Sequence, residues 1–391
     1  MANRRFNLPG IHELSKEQEK ARMLPKKGRH LIVGGPGTGK SIVALLRAKR
    51  HQKEKDYLLL VYNRLLNEAS QQLVKDQLLS RTWKFWFIKF FEKYFNQPVP
   101  KLPRKDENDN LCFDWDRILD IICKSSIDLK NEPNFLVIDE GQDMPPSFYQ
   151  ALMNLGFENY YIVADQNQQI IEDQNSSRKD LENCLVIDED DVIELEYNYR
   201  NTYHVARLAM EFYTGDPASL PPKLPPLTQT AKKAVLVEYG DQCKVDFDLI
   251  IKNILAKSDN NPNKLVGVIT PNNNVRIRYF EKLKNDNLNY DNSRTRIVTY
   301  AYGQNANISF AEGGIFVLNA QACKGLEFDV VFLADIHAYN CSQKYMESRK
   351  RLFYVMVARA REQVIMLREF GRNCPVDAIL PEDQSVLSRW R

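Results

Sequence analysis

The stretch HLIVGGPGTGKSIVALL, residues 30–46, joins a β-branched apolar run to a glycine-rich turn and then to an amphipathic helical pattern. Gly34, Gly39, Lys40 and Ser41 fit the spacing G-x-x-x-x-G-K-[ST]. In such a turn the glycines let backbone N–H groups approach phosphate oxygens, the lysine reaches the β- and γ-phosphates, and the hydroxyl faces Mg²⁺. The stretch therefore predicts a nucleotide-binding loop after a strand. The residues expected to contact the nucleotide are Gly34, Gly35, Gly37, Thr38, Gly39, Lys40 and Ser41.

A second stretch, FLVIDEGQD (135–143), places two acids directly after an apolar run. We expect Asp139 to hold Mg²⁺ together with Ser41, and Glu140 to activate the attacking water. The alternative is a strand that ends in solvated acids. The presence of the glycine-rich loop in the same chain favours nucleotide hydrolysis, with ATP and Mg²⁺ as the expected ligands.

Short apolar runs without alternation recur along the chain, separated by helical patterns, which is typical of strands buried on both faces of a parallel sheet. The runs are HLIVGG, YLLLVY, FLVIDE, YYIVAD, LVGVIT, GIFVLN, VVFLAD and VIMLRE. The alternation occurs twice and predicts an α/β fold with two parallel-sheet domains. We expect the first domain to cover residues 1–192 and the second, starting around VIELEYNYR, to cover residues 193–391.

The composition indicates a globular intracellular protein, with 43% hydrophobic and 27% charged residues. The net charge of +3 neither indicates nor excludes a nucleic-acid partner. Seven scattered cysteines without a C-x-x-C pair fit reduced thiols better than disulfides or a zinc site. Neither a signal peptide nor an apolar run of about 20 residues is present, so we expect a cytoplasmic protein without a membrane partner.

Six further motifs follow one another in a fixed order. They are LSKEQ before the glycine-rich loop, VIDEGQD (137–143), VADQNQ, LEYNYRNT (195–202), KGLEFDVVFL (324–333) and RLFYVMVARAR (351–361). In this order they resemble the motifs of superfamily 1 helicases of the Rep/UvrD/PcrA branch, over nearly the whole chain. The resemblance implies two RecA-like P-loop domains with ATP in the cleft between them. It also implies 3′→5′ movement along single-stranded nucleic acid, for which DNA is the expected strand and RNA stays an open alternative.

The resemblance assigns roles around the base and ribose of the nucleotide. Gln18 matches the glutamine that reads adenine, and Tyr199 matches the ring that stacks on it. Glu327 matches the acid that contacts the ribose. Taken alone, Tyr199 could equally be a core residue; as part of the ordered set it favours nucleotide binding.

The same resemblance assigns roles around the γ-phosphate. Gln168 matches an amide at a strand edge that holds the attacking water and the γ-phosphate. Arg200 and Arg359 match cations of the second domain that stabilise charge in the transition state, although Arg359 alone could be a solvated helix residue. The predicted catalytic residues are Lys40, Glu140, Gln168, Arg200 and Arg359.

The predicted nucleic-acid side departs from the family. The family's large insertions are reduced here to a small helical piece at about 75–130 and to little or nothing in the second domain. SRTWKFWFIKFFEKYF (80–95) resembles the T-F-H-S-F motif, with Thr82 and Trp83 in register to face a single strand, whereas most other rings fit the buried face of an amphipathic helix. The residues expected to contact nucleic acid are Asn63, Thr82, Trp83, Asn319 and Gln321.

Two further departures weaken the predicted grip on a strand. After VADQNQ, where the family has residues on which bases stack, this chain has IEDQ (171–174), whose two acids repel a phosphate backbone. Asn319 and Gln321 replace the usual threonine and histidine, and Ala358 replaces a threonine.

The sequence therefore supports two enzymatic hypotheses. The first is a compact ATP-driven helicase or translocase acting on single-stranded nucleic acid. The second is a nucleotide-gated ATPase subunit that switches a partner, such as a nuclease of a phage-defence complex. A degenerate scaffold without activity is disfavoured because Lys40, Glu140 and Arg359 are all present.

Overall fold

The chain divides into two compact units, which are described separately below. The computed structural model describes residues 8–74, 78–103, 112–165, 175–214, 220–289, 295–300 and 308–391. The N-terminal unit comprises Leu8–Gly34 and Gly39–Leu195, and the C-terminal unit comprises Glu196–Arg391 together with Gly35–Thr38.

The N-terminal unit is built on a sheet of six strands in the order β3-β2-β4-β5-β1-β6, and every neighbouring pair is parallel. Its strands are β1 (Arg29–Gly34), β2 (Tyr57–Val61), β3 (Ser80–Thr82), β4 (Phe135–Ile138), β5 (Asn159–Ala164) and β6 (Val192–Leu195). Its helices are α1 (Lys16–Met23), α2 (Lys40–Arg50), α3 (Arg64–Val74), α4 (Trp83–Phe95), α5 (Trp115–Cys123), α6 (Pro146–Leu155) and α7 (Arg178–Leu185).

The register of the N-terminal sheet determines where its polar strand ends meet. The central strands β4, β5 and β1 are adjacent, and almost all of their residues are buried. Since parallel strands present their carboxyl ends at one edge, the residues that follow Gly34, Ile138 and Ala164 lie together there. This edge carries the candidate active site.

The C-terminal unit contains a sheet of seven strands in the order β13-β7-β12-β11-β8-β10-β9, again with parallel neighbours. Its strands are β7 (Ala234–Tyr239), β8 (Leu265–Thr270), β9 (Ile297–Thr299), β10 (Gly314–Asn319), β11 (Phe328–Leu333), β12 (Ala360–Glu369) and β13 (Leu387–Trp390). Its helices are α8 (Tyr203–Glu211), α9 (Phe247–Asp259), α10 (Asn273–Asn289) and α11 (Met346–Ala358).

The predicted α/β class with two parallel sheets is confirmed, and all eight apolar runs form strands. The predicted boundary at residue 192 does not agree with the pairing of β6. This strand was expected to open the second domain, but Leu31 of β1 pairs with Val192, so β6 is the edge of the N-terminal sheet. Among the described residues, no helix is both long and apolar enough to cross a membrane.

Candidate active site

The glycine-rich loop bends sharply between β1 and α2. Gly37 and Gly39 have φ angles of 79° and 91°, in the left-handed region that favours glycine. Gly39 also precedes the first helical residue, and a Cβ there would stand 2.3 Å from Gln18 Nε2. Gln18 is 7% exposed. The predicted adenine-reading amide therefore packs directly against the loop backbone, and the positive φ disfavours any residue other than glycine at position 39.

Lys40 lies in a polar environment at the carboxyl edge of the N-terminal sheet. Its Nζ donates to the Gly34 carbonyl at 2.7 Å and lies 3.3 Å from Asp165 Oδ2. The Asp165 side chain is fully buried and follows β5 directly. An ion pair in this position holds the Lys40 side chain at the loop. The structure thus brings Asp165, which belongs to the VADQNQ motif, to the predicted phosphate-binding residues.

Ser41 and Asp139 lie together in a way that fits a magnesium ion. Ser41 Oγ donates to Asp139 Oδ1 at 3.2 Å, and hydroxyl and carboxylate oxygens are ligands that Mg²⁺ prefers. Burial, together with the neighbouring charge of Glu140, raises the pKa of Asp139 to about 7. A divalent cation at this position would favour the charged form of the carboxylate, so the donor set suits the predicted metal.

Glu140 is held in a strained conformation by its neighbours. Its φ of 56° is unusual for a residue with a side chain, and it begins a short 3₁₀ turn over Gly141–Asp143. Gln142 Nε2 donates to Glu140 Oε2 at 2.7 Å, while the backbone N–H of Asp165 donates to Gln142 Oε1 at 2.9 Å. Gln142 therefore orients the carboxylate proposed to activate water. Gln142 belongs to the VIDEGQD motif, but the motif alone does not assign this role to it.

Arg200, Glu327 and Arg361 form a charged group within the C-terminal unit. Arg200 Nη2 lies 2.5 Å from Glu327 Oε1, and Arg361 Nη2 donates to Glu327 Oε2 at 2.7 Å. Burial alone would raise the pKa of Glu327, but the two guanidinium charges outweigh it and lower that pKa to about 2. Arg361 was not predicted. The feature of the sequence that could have pointed to it is ARAR, in which Arg361 follows Arg359 by two residues. The structure places Arg361 in β12.

The other nucleotide residues of the C-terminal unit differ in exposure. Tyr199 is 56% exposed, and its ring lies 6.3 Å from that of Tyr197, so it offers a face to a base. Its backbone N–H donates to the Gly37 carbonyl at 2.8 Å. Arg359 is 2% exposed at the end of α11, and its Nε donates to the Val355 carbonyl. The predicted residue Gln168 lies outside the described residues, as does the IEDQ segment.

Trp83 is the predicted nucleic-acid residue that the structure contradicts. Its ring is 2% exposed and packs against Phe113 and Phe148 at centroid distances of 5.9 and 5.0 Å. It starts α4, whose other buried rings fill the same core, as was expected for most of them. Because Trp83 lies on the buried face of this amphipathic helix, its ring offers no open surface on which a base could stack.

The remaining predicted nucleic-acid residues lie at carboxyl ends of strands. Asn63 Oδ1 accepts from the Leu66 N–H at 2.8 Å and so caps the start of α3. Thr82 ends β3 and is partly buried. Asn319 ends β10, and Gln321 is exposed in the 3₁₀ turn that follows it. Their contacts with nucleic acid stay predictions.

Comparison with known proteins bears on the C-terminal unit. Residues 314–367 match the UvrD-like helicase C-terminal domain, a span from β10 into β12. One similar solved structure is the C-terminal domain of a possible DNA helicase from Lactobacillus plantarum WCFS1, with 16% identity and a TM-score of 0.34. The match covers 49% of this chain and 97% of that one. No curated protein matches the chain. The chain thus contains a region similar to the UvrD-like helicase C-terminal domain.

Proposed function

We propose that this chain is a helicase-type ATP hydrolase whose activity is coupled to single-stranded nucleic acid. The observation that carries the proposal is the convergence of Lys40, Ser41, Asp139, Glu140 and Asp165 at one edge of a parallel sheet. The UvrD-like match at residues 314–367 supports the helicase type. DNA as the strand and 3′→5′ movement are proposed from the resemblance alone.

In the proposed reaction, Lys40 binds the β- and γ-phosphates, and Ser41 and Asp139 hold Mg²⁺, which neutralises phosphate charge. Glu140, oriented by Gln142, accepts a proton from the attacking water. Arg200 stabilises the charge that develops on the γ-phosphate; Arg359 and Gln168 are proposed to assist, as the motif order implies. Gln18, Tyr199 and Glu327 bind the adenosine part. The position of ATP between two RecA-like domains stays a prediction.

The test is the rate of ATP hydrolysis with and without single-stranded DNA and RNA at low salt. Lys40→Ala and Glu140→Gln should both abolish hydrolysis, and Glu140→Gln should still bind ATP because the lysine and magnesium ligands remain. Thr228→Ala, a change at an exposed residue of the C-terminal unit, serves as the control. Hydrolysis that no strand stimulates would contradict the coupling to nucleic acid.

A second candidate function is a nucleotide-gated subunit that switches a partner, such as a nuclease in defence against phage. Two observations favour it: Trp83 is buried, and IEDQ (171–174) replaces the stacking residues of the family. Co-purification from the native host would detect such a partner. Processive unwinding by the isolated chain would contradict this candidate function.

A further inference from the structure

Arg276 in the first turn of α10 is a buried cation without an acidic partner. It is 7% exposed, and among the described residues no carboxylate pairs with it. Its Nε donates to Asn273 Oδ1 at 3.3 Å and its Nη1 donates to Thr299 Oγ1 at 2.5 Å. Buried charges are normally paired, because leaving water without a counter-charge is unfavourable. An anion that binds at Arg276 would therefore supply the missing counter-charge.

The groups around Arg276 are neutral and lie at the ends of three neighbouring strands. Thr270 ends β8, Thr299 ends β9 and Asn319 ends β10, and these strands are adjacent in the sheet. Asn319 Nδ2 donates to Asn273 Oδ1 at 2.8 Å, and Thr270 Oγ1 lies 3.0 Å from Asn319 Oδ1. We call the five residues the Arg276 cluster. Its hydrogen bonds connect the guanidinium to the exposed side chain of Asn273.

The donors of the cluster are suited to phosphate oxygens. Thr299 Oγ1 lies 2.9 Å from the Val317 carbonyl, so it donates there and accepts from Arg276. A guanidinium has five N–H donors, and both N–H groups of Nη2 find no acceptor among the described residues. The hydroxyls of Thr270 and Thr299 donate to protein acceptors, so the guanidinium and the two side-chain amides are left to face a ligand. One positive charge with two amides matches a singly charged phosphodiester better than a polyphosphate, which needs several cations.

We propose that the Arg276 cluster binds one phosphate of a single-stranded nucleic-acid backbone. The proposal rests on the proposed function, since it names the backbone contact that this function requires in the C-terminal unit. Asn319 was expected to touch nucleic acid; the structure adds the cation beside it. Arg276 acts as the charged anchor, and Asn273 and Asn319 orient the phosphate oxygens.

The decisive variant is Asn273→Asp, which places a carboxylate on Arg276 without a change of size. It is expected to raise the melting temperature, because the buried cation gains a partner, and to weaken the binding of a labelled oligothymidylate about tenfold at low salt. The slope of log K against log salt should become shallower by about 1. A gain in stability with a loss of binding is not a result that misfolding can produce.

Asn274→Asp is the matched control. It adds the same charge to the same helix turn on an exposed residue, whereas the described hydrogen bonds of Arg276 go to Asn273 and Thr299, so any effect of the helix dipole is shared. It should leave the salt slope unchanged. Arg276→Lys should keep the slope, because the charge remains, and Arg276→Gln should lower it by about 1.

Three outcomes overturn parts of the proposal. Equal salt slopes for the wild type, Asn273→Asp and Arg276→Gln would show that the cluster touches no backbone phosphate. A wild type that binds no strand at low salt would instead contradict the proposed function. If inorganic phosphate then raises the melting temperature of the wild type but not of Asn273→Asp, the cluster binds free phosphate, which overturns its assignment to nucleic acid.

Discussion

At the scale of single residues, the pKa values of two acids of the candidate site are shifted in opposite directions. Asp139 is buried beside a like charge, and its pKa rises to about 7. Glu327 lies between two guanidinium groups, and its pKa falls to about 2. The first carboxylate is therefore ready to accept a cation, whereas the second is permanently charged and holds two arginines in place.

We expect Asp139→Asn to raise the melting temperature near pH 8 and to leave it nearly unchanged near pH 5. The pKa of Asp139 is about 7 in the folded chain against an ordinary value of 3.8, so the folded state binds the proton more tightly. The free energy of unfolding of the wild type therefore falls as the pH rises from about 4 through 7. Asparagine has no such proton, and the fall disappears.

The measurement is thermal unfolding of both proteins between pH 5 and 8 without magnesium. Added Mg²⁺ should stabilise the wild type at pH 8 and have little effect on Asp139→Asn, because the ligand is lost. If the melting temperature of the wild type does not change with pH between 5 and 8, the pKa of Asp139 is not raised and the prediction is wrong.

Arg361→Gln is expected to raise the KM for ATP about tenfold and to change kcat little. Arg361 holds one oxygen of Glu327, and without it the acid expected at the ribose loses its orientation. Tenfold corresponds to about 1.4 kcal/mol, within the range of a hydrogen bond to a charged group. Steady-state kinetics separates KM from kcat, and Arg361→Lys should restore part of the affinity. Arg372→Gln, at an exposed arginine, serves as the control, and an unchanged KM in Arg361→Gln would exclude this role.

At the scale of elements, α4 illustrates how a helix can resemble a binding motif and still serve the core. Its rings at 83, 86, 87, 90 and 91 are buried in the N-terminal unit. Only Phe85, at 54% exposure, is a large ring clearly open to solvent among the described residues of this helix. The helix thus forms one side of the core, and of its basic residues Lys89 and Lys93 are exposed whereas Lys84 is partly buried.

Trp83→Ala should lower the free energy of unfolding by about 3–5 kcal/mol, because it leaves a large cavity between Phe113 and Phe148. Phe85→Ala on the same helix should cost well below 1 kcal/mol, since that ring is already half exposed. Denaturant unfolding gives both values. If Trp83→Ala loses affinity for a strand at full stability, the ring contacts nucleic acid and the buried position is wrong.

Long apolar strands could be predicted from the sequence, and shorter or half-exposed ones could not. In runs such as FLVIDE the strand residues are apolar without interruption, and all of them are buried. The strand β6 alternates between buried and exposed residues, and a local pattern does not tell which sheet accepts it. The short strands β3 and β9 have three residues each, too few for any periodicity.

Within the candidate site, motif residues could be predicted and their partners could not. Lys40, Ser41, Asp139 and Glu140 follow from spacing alone. Arg276 belongs to none of the motifs, and its proposed role depends on the three strands that end beside it in the fold. The Trp83 ring packs against Phe113, which is thirty positions further along the chain. The sequence around Trp83 therefore does not determine which way the ring faces.

At the scale of the whole molecule, the balance of charge is expected to govern the coupling to nucleic acid. The chain has 54 basic and 51 acidic residues, so attraction to a strand depends on local groups rather than on the total. The proposed anchor at Arg276 supplies one such group, and the acids of IEDQ (171–174) oppose the same attraction.

Glu172→Gln combined with Asp173→Asn should strengthen the binding of single-stranded DNA at low salt by about tenfold, because two repulsive charges are removed. The effect should shrink as salt rises through screening. Asp116→Asn combined with Glu158→Gln removes the same charge from exposed positions and serves as the control. Equal affinity of the two double variants would show that these acids do not face the strand.

The placement of the four tryptophans has a practical consequence. Trp83 and Trp86 are buried and Trp115 packs against the same core, all in the N-terminal unit, whereas Trp390 in the edge strand of the C-terminal unit is 65% exposed. The indoles of the first group should emit at short wavelength and resist quenching by iodide, and that of Trp390 should do neither. The chain thus carries an intrinsic fluorescent label for each unit. With Trp390→Phe, emission follows the N-terminal unit alone.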